Sequence, residues 1–129
     1  MENNELKRYL GIDWGEKRIG LAQADSETKI ALPFKTAASL SEVLEIITDE
    51  EIDAIVIGSP RKMSGAIADN PLWQKFLTDL EKSVSCEIII LDERLSSLAA
   101  DALEGGKKDK AARDEIAAAL ILQQHLDKC

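Results

Sequence analysis

Apolar residues recur along this chain in short blocks, and the spacing inside each block predicts an element. Tyr9, Leu10 and Ile12, then Ile19, Leu21 and Ala22, mark two strands, Lys7–Asp13 and Arg18–Asp25, joined by a tight turn at Gly15. A weaker run over Thr28–Phe34 predicts a third strand that closes at Pro33, so the first three strands form an antiparallel meander. Ser39 followed by Glu42 makes a capping box. Val43, Leu44, Ile46 and Ile47 then supply the apolar stripe of a helix ending near Glu50. Ala54–Gly58 and Glu87–Leu91 are unbroken apolar runs, as expected of strands covered on both faces in the parallel part of a sheet. Between them, Asn70 and Pro71 start a helix whose Leu72, Trp73, Phe76, Leu77 and Leu80 face a sheet. A short helix over Ser96–Glu104 stops at Gly105-Gly106, and a long Ala-rich helix covers Lys110–Leu126.

Composition narrows the class. The 129 residues suit one domain, 1–129, with a single core. With 45% hydrophobic but only 4% aromatic residues, that core is built from Ile, Leu, Val and Ala. No apolar run spans a bilayer and the first residues lack signal-peptide character, so a cytoplasmic protein without membrane contact is expected. Cys86 and Cys129 have neither metal-ligand spacing nor a disulfide framework, and read as inert thiols. A net charge of −8 argues against indiscriminate nucleic-acid binding, although a local basic site remains compatible with it.

Three acids fall at matching places. Asp13 ends the first strand, where a carboxylate cannot join the core and must be solvated, paired or metal-bound. Gly11 and Gly15 on either side remove bulk, so that something small and charged can approach. Glu93 lies just past the last strand, at the carboxyl edge where sheets containing parallel strands place their ligand crevices. Asp114 heads the stripe Asp114, Ala117, Ala118, Ile121 on the core-facing side of the final helix. Two readings stand. Asp13 marks an ordinary turn and Asp114 either favours the helix start or pairs with Lys110; or Asp13, Glu93 and Asp114 converge as hard oxygen ligands for a divalent metal. His125 suits the dipole at a helix end, Trp73 and Phe76 read as core, and Trp14 reads as packing beside the site or as a base-stacking residue.

Four segments, GIDWGEKRIGLA at 11–22, VIGSP at 56–60, DERLSS at 92–97 and DEIAAALILQ at 114–123, resemble the ordered signatures of the YqgF/RuvX family over nearly the whole chain. That family comprises Holliday-junction resolvases, also regarded as nucleases that mature the 5′ end of pre-16S rRNA. The resemblance implies an α/β, ribonuclease H-like fold with a mixed central sheet, three antiparallel strands then two parallel ones, flanked by helices. It implies Asp13, Glu93 and Asp114 as catalytic and metal-binding acids. Asp92 is the alternative ligand to Glu93, because adjacent strand residues face opposite ways. Such a cluster holds Mg²⁺ or Mn²⁺, in a two-ion site, for phosphodiester hydrolysis. Lys17, Arg18 and Arg94 beside the acids, Arg61 and Lys62, and the segment Lys107, Lys108, Lys110 and Arg113 are the candidate phosphate contacts. The chain departs from the family at Arg61-Lys62-Met63-Ser64-Gly65, where relatives usually carry an apolar residue and Asn, then Met and an acid before Gly.

The expected partner is structured nucleic acid, pre-16S rRNA or branched DNA, with ribosomal particles as the wider setting. The chain acts as a monomer or a homodimer, and symmetric paired cuts favour the dimer. Two other classes are set against the nuclease: a non-catalytic nucleic-acid- or ribosome-associated protein with the same fold, and an actin-like phosphate-binding ATPase. The ATPase needs two lobes, and Glu16 sits where its phosphates would approach.

Overall fold

The computed structural model describes residues 6–15, 17–59, 71–92 and 110–128. Its strands are β1 (Arg8–Asp13), β2 (Ile19–Asp25), β3 (Leu32–Ala37), β4 (Ala54–Ser59) and β5 (Glu87–Asp92). They form one sheet in the order β3-β2-β1-β4-β5. The β1–β2 and β2–β3 pairs are antiparallel, and the β1–β4 and β4–β5 pairs are parallel. The carboxyl ends of β1, β4 and β5 therefore share one edge of the sheet.

Strand alternation decides what covers each face. Leu10, Ile12, Ile55 and Ile57 pack with Val43 and Ile47 of α1 (Leu40–Asp49) and with Phe76 and Leu80 of α2 (Pro71–Ser83). Tyr9, Ala22, Ala54 and Val56 point the other way, onto Ala118, Ile121, Leu122 and Leu126 of α3 (Lys110–Asp127). Leu10, Ile12, Ile55 and Ile57 are fully buried, each contributing about 1.5–3 kcal/mol relative to an exposed position. The cap half of the capping box is present, Ser39 accepting from the Glu42 amide at 3.4 Å, while the Glu42 carboxylate reaches one residue further back and accepts from the Ala38 amide at 2.8 Å. Trp73 and Phe76 are buried, as expected, while the Asn70 cap and the helix expected over Ser96–Glu104 lie outside the described residues.

The third strand is displaced from its expected position. It spans Leu32–Ala37 rather than Thr28–Phe34, because residues after β2 are consumed by a turn. The Asp25 carboxylate accepts from the amides of Thr28 at 2.9 Å and Glu27 at 3.0 Å, and Lys29 takes a positive φ of 54°. Gln123 of α3 then accepts from the Ala31 amide at 2.8 Å and donates to the Lys29 carbonyl at 3.0 Å. Pro33 does not end the strand. It pairs with Ala22 beside a register shift on β3, an edge strand, where a missing N–H is tolerated.

Candidate active site

Asp13 is the last residue of β1 and is half-buried. Its side has an internal marker: a Cβ added to Gly11, two residues earlier, would meet the Ala118 carbonyl oxygen and the Leu122 Cβ of α3, each at 2.8 Å. By alternation Asp13 projects to that same face. Its register partner across the antiparallel pair is Gly20, at a Cα separation of roughly 5 Å. A Cβ at Gly20 would collide with the backbone carbonyl of Asp114 and stand 2.8 Å from its Cβ. The first turns of α3 thus rest directly on β2 at Gly20. Asp13 and Asp114 become neighbours on one face at the carboxyl edge of the parallel strands.

β4 is bare at this level. Ile12 pairs with Ile57, so the row through Asp13 continues to Gly58, whose partner on β5 is Leu91. Asp13 is flanked across the sheet by a glycine on each side.

Arg18, just ahead of β2, completes the described part of the site. Its Nε donates to Asp114 Oδ2 at 3.2 Å, with side chains 41% and 30% exposed. Asp114 pairs across the fold with Arg18. The Lys110 side chain, its other expected partner, lies outside the described atoms. Lys17 is exposed in the same turn. The space expected beside Gly11 and Gly15 is filled by protein: α3 occupies the first, and a Cβ at Gly15 would stand 2.7 Å from the Arg18 carbonyl oxygen. Those glycines close the helix and the turn onto the strands rather than admit a ligand.

Of the other candidates, Asp92 ends β5 opposite Ser59. Glu93, Arg61, Lys62, Arg94, Lys107 and Lys108 lie outside the described residues. Trp14 packs its ring on Phe76, centroids 6.3 Å apart, which is the packing role. His125 lies against Tyr9 at 5.9 Å, at the far end of α3 from the acids. A groove of about 300 Å³ lined by Arg8, Gln23, Asp25, Ile30, Glu50 and Ile52 is also at that far end, away from Asp13. Sequence reasoning missed the seat at Gly20 and the Arg18 pairing. The available signal was a glycine inside a strand, which marks close backbone approach.

Among the described residues no three His, Cys, Asp or Glu side chains come together. The pair Asp13 and Asp114 nevertheless fits a hard divalent cation: both donors are carboxylate oxygens, and Mg²⁺ is commonly held by one or two carboxylates plus water and substrate phosphate.

Residues 7–128 match the model of the family described as RuvX, Holliday junction resolvase. The chain belongs to the RuvX family. Its relatives include the "Putative pre-16S rRNA nuclease" of Roseiflexus sp. (strain RS-1), 34% identical over 97% of both chains. Another of the same description, from Geobacillus sp. (strain WCH70), is 35% identical over 93% of this chain and 97% of its own. RuvX is thus a nuclease family that acts on nucleic acid. Among solved structures, T. thermophilus RuvC in complex with Holliday junction substrate superposes with a TM-score of 0.59 at 13% identity, over 95% of this chain and 94% of its own. The yeast mitochondrial Holliday junction resolvase Ydc2 gives 0.54 at 15%, over 95% and 81%. The fold is ribonuclease H-like, with the mixed five-stranded sheet expected of it. No helix among the described residues is long and apolar enough to cross a membrane.

Proposed function

We propose that this RuvX chain is a divalent-metal-dependent nuclease that cuts phosphodiester bonds in structured nucleic acid at the carboxyl edge of β1, β4 and β5. The observation that carries it is Asp114 seated on Gly20, the register partner of Asp13, with Arg18 bonded to Asp114. Asp13 and Asp114 are the metal-holding carboxylates. Glu93 is the third on sequence position alone, with Asp92 as the alternative ligand of the same motif. Mg²⁺ or Mn²⁺ held there, as two ions, would supply a nucleophilic water and neutralise charge on the phosphate and the leaving oxygen. The protein's part is to hold the carboxylates on rigid backbone and to fix the phosphate with cations. Lys17 and Arg18 lie in the described turn. Arg61, Lys62, Arg94, Lys107 and Lys108 are further phosphate contacts supported by sequence position alone. The attacking water oxygen bonds to phosphorus as the bridging oxygen departs, the proton that the water loses to solvent being balanced by one that the leaving oxygen takes up, and no covalent enzyme intermediate is required.

The relatives' names favour pre-16S rRNA as the substrate, and the reading that goes with it is 5′-end processing on ribosomal particles in the cytoplasm. The family description favours branched DNA, for which a homodimer supplies paired cuts. Cleavage assays with Mg²⁺ and Mn²⁺ on a pre-16S rRNA fragment and on a four-way DNA junction separate the two. Asp13→Asn is expected to abolish cleavage of whichever is cut; cleavage that survives the substitution removes Asp13 from the site.

A further inference from the structure

We propose that Arg18 is a positioning residue that serves as the stand-in cation of the acidic site, neutralising Asp114 while no divalent ion is bound and passing to the nucleic-acid backbone when one is. This rests on the metal-dependent reading above. Two carboxylates on neighbouring positions of one sheet face repel each other when the site is empty. The fold sets a positive group against Asp114, with Arg18 Nε 3.2 Å from Oδ2. That oxygen cannot serve the guanidinium and a divalent ion equally well, so the two cations compete for it.

The backbone makes the exchange local. Asp114 is seated by its own carbonyl against Gly20, and the Arg18 carbonyl closes the turn against Gly15. Both main chains pack closely at these glycines, and the exchange needs only the side chains to move. With side chains 41% and 30% exposed, the pair is solvent-screened and weak enough to open. An arginine released there keeps its charge and its planar set of donors, which match a phosphate. One residue then links metal loading to substrate binding: the ion's arrival frees the phosphate-binding group.

Mn²⁺ binding followed by electron paramagnetic resonance, together with nucleic-acid titrations in Ca²⁺ across several salt concentrations, tests this on the full chain. Arg18→Gln is expected to bind Mn²⁺ about two- to fivefold more tightly, the scale of an exposed ion pair. The same variant is expected to bind nucleic acid more weakly, with a salt slope lower by about one. Arg18→Lys retains the charge and is expected to restore Mn²⁺ affinity to within about twofold of the parent. Lys17→Gln removes the same charge from the exposed neighbour and is expected to leave Mn²⁺ affinity nearly unchanged. A damaged fold would weaken both ligands, so opposite shifts identify the exchange. If Asp13→Asn and Asp114→Asn weaken Mn²⁺ binding but Arg18→Gln does not tighten it, the stand-in role is overturned and the metal site stands. If neither acid variant weakens Mn²⁺ binding, the metal site falls and the role of Arg18 falls with it.

Discussion

At the residue scale, Asp13 and Asp114 are each tested by a single substitution. Asp114 has its charge matched by Arg18, so replacing it removes a part-buried but solvent-screened ion pair worth about 1 kcal/mol. Asp13→Asn removes a like charge from the same face. It is expected to abolish cleavage while raising the melting temperature slightly in EDTA, by less than close carboxylates with no neighbouring cation would imply, because Arg18 already relieves part of the repulsion. Marked destabilisation in a calorimetric scan would make Asp13 a structural hydrogen-bonding residue instead. Far from the acids, Asp25 is held below its usual value of 3.8, first by the Thr28 amide; desolvation, the next largest effect, opposes this, and the Glu27 amide, the Thr28 hydroxyl and the Arg8 charge then add to the lowering. Its carboxylate is favoured in the folded state, so the stabilisation is fully present above pH 3.8 and is lost as pH falls through the lower folded value. Asp25→Ala is therefore expected to be less stable than the parent at pH 7, with the gap narrowing below pH 3.8 in denaturant titrations. A gap independent of pH would show that the charge plays no part in the turn.

At the scale of elements, the decisive contact is α3 on β1 and β2. A methyl group at Gly20 would overlap the Asp114 carbonyl and crowd its Cβ, and overpacking of this kind costs about 1–3 kcal/mol. Gly20→Ala is expected to destabilise by that amount and to lose metal affinity as well, since the helix carrying Asp114 must lift from the sheet. Gly11→Ala, which meets Ala118 and Leu122 lower on the same helix, is expected to cost similar stability with a smaller loss of Mn²⁺ affinity. Equal loss in both would mean that the helix moves as one body. Gln123 fastens the other side of α3, bonding Ala31, Lys29 and Asp127. Gln123→Ala is expected to cost about 1–2 kcal/mol and to raise hydrogen exchange at Ala31; an unchanged rate there would show that the β2–β3 turn holds without the helix.

For the molecule as a whole, a net charge of −8 repels nucleic acid at long range, so binding has to come from local cations and from metal at the acids. Replacing Lys107 and Lys108, which lie outside the described residues, by alanine is expected to lower the salt slope of binding by about one to two, one for each phosphate no longer neutralised. An unchanged slope would leave Lys17, Arg18 and Arg94 to hold the backbone. The sheet order follows the same economy of connections. Consecutive strands pair directly on the β3-β2-β1 side, while β4 and β5 are reached through α1 and α2, which brings three carboxyl ends to one edge.

Strands β1, β2, β4 and β5, the cap at Ser39 and the core stripes of α1 and α2 were legible from the chain, because burial periodicity and capping depend on neighbours a few residues away. The start of β3 was not. Its onset depends on whether Thr28 to Ala31 turn or extend, and Gln123, 92 residues from Ala31, takes part in that choice. The meeting of Arg18 with Asp114, 96 residues apart, was decided in the same way. Each residue carries a local signal, a cation after a turn and an acid on a helix. Only the seating of α3 on two strand glycines brings their charges within 3.2 Å, because that distance is set by how closely a helix can approach a sheet.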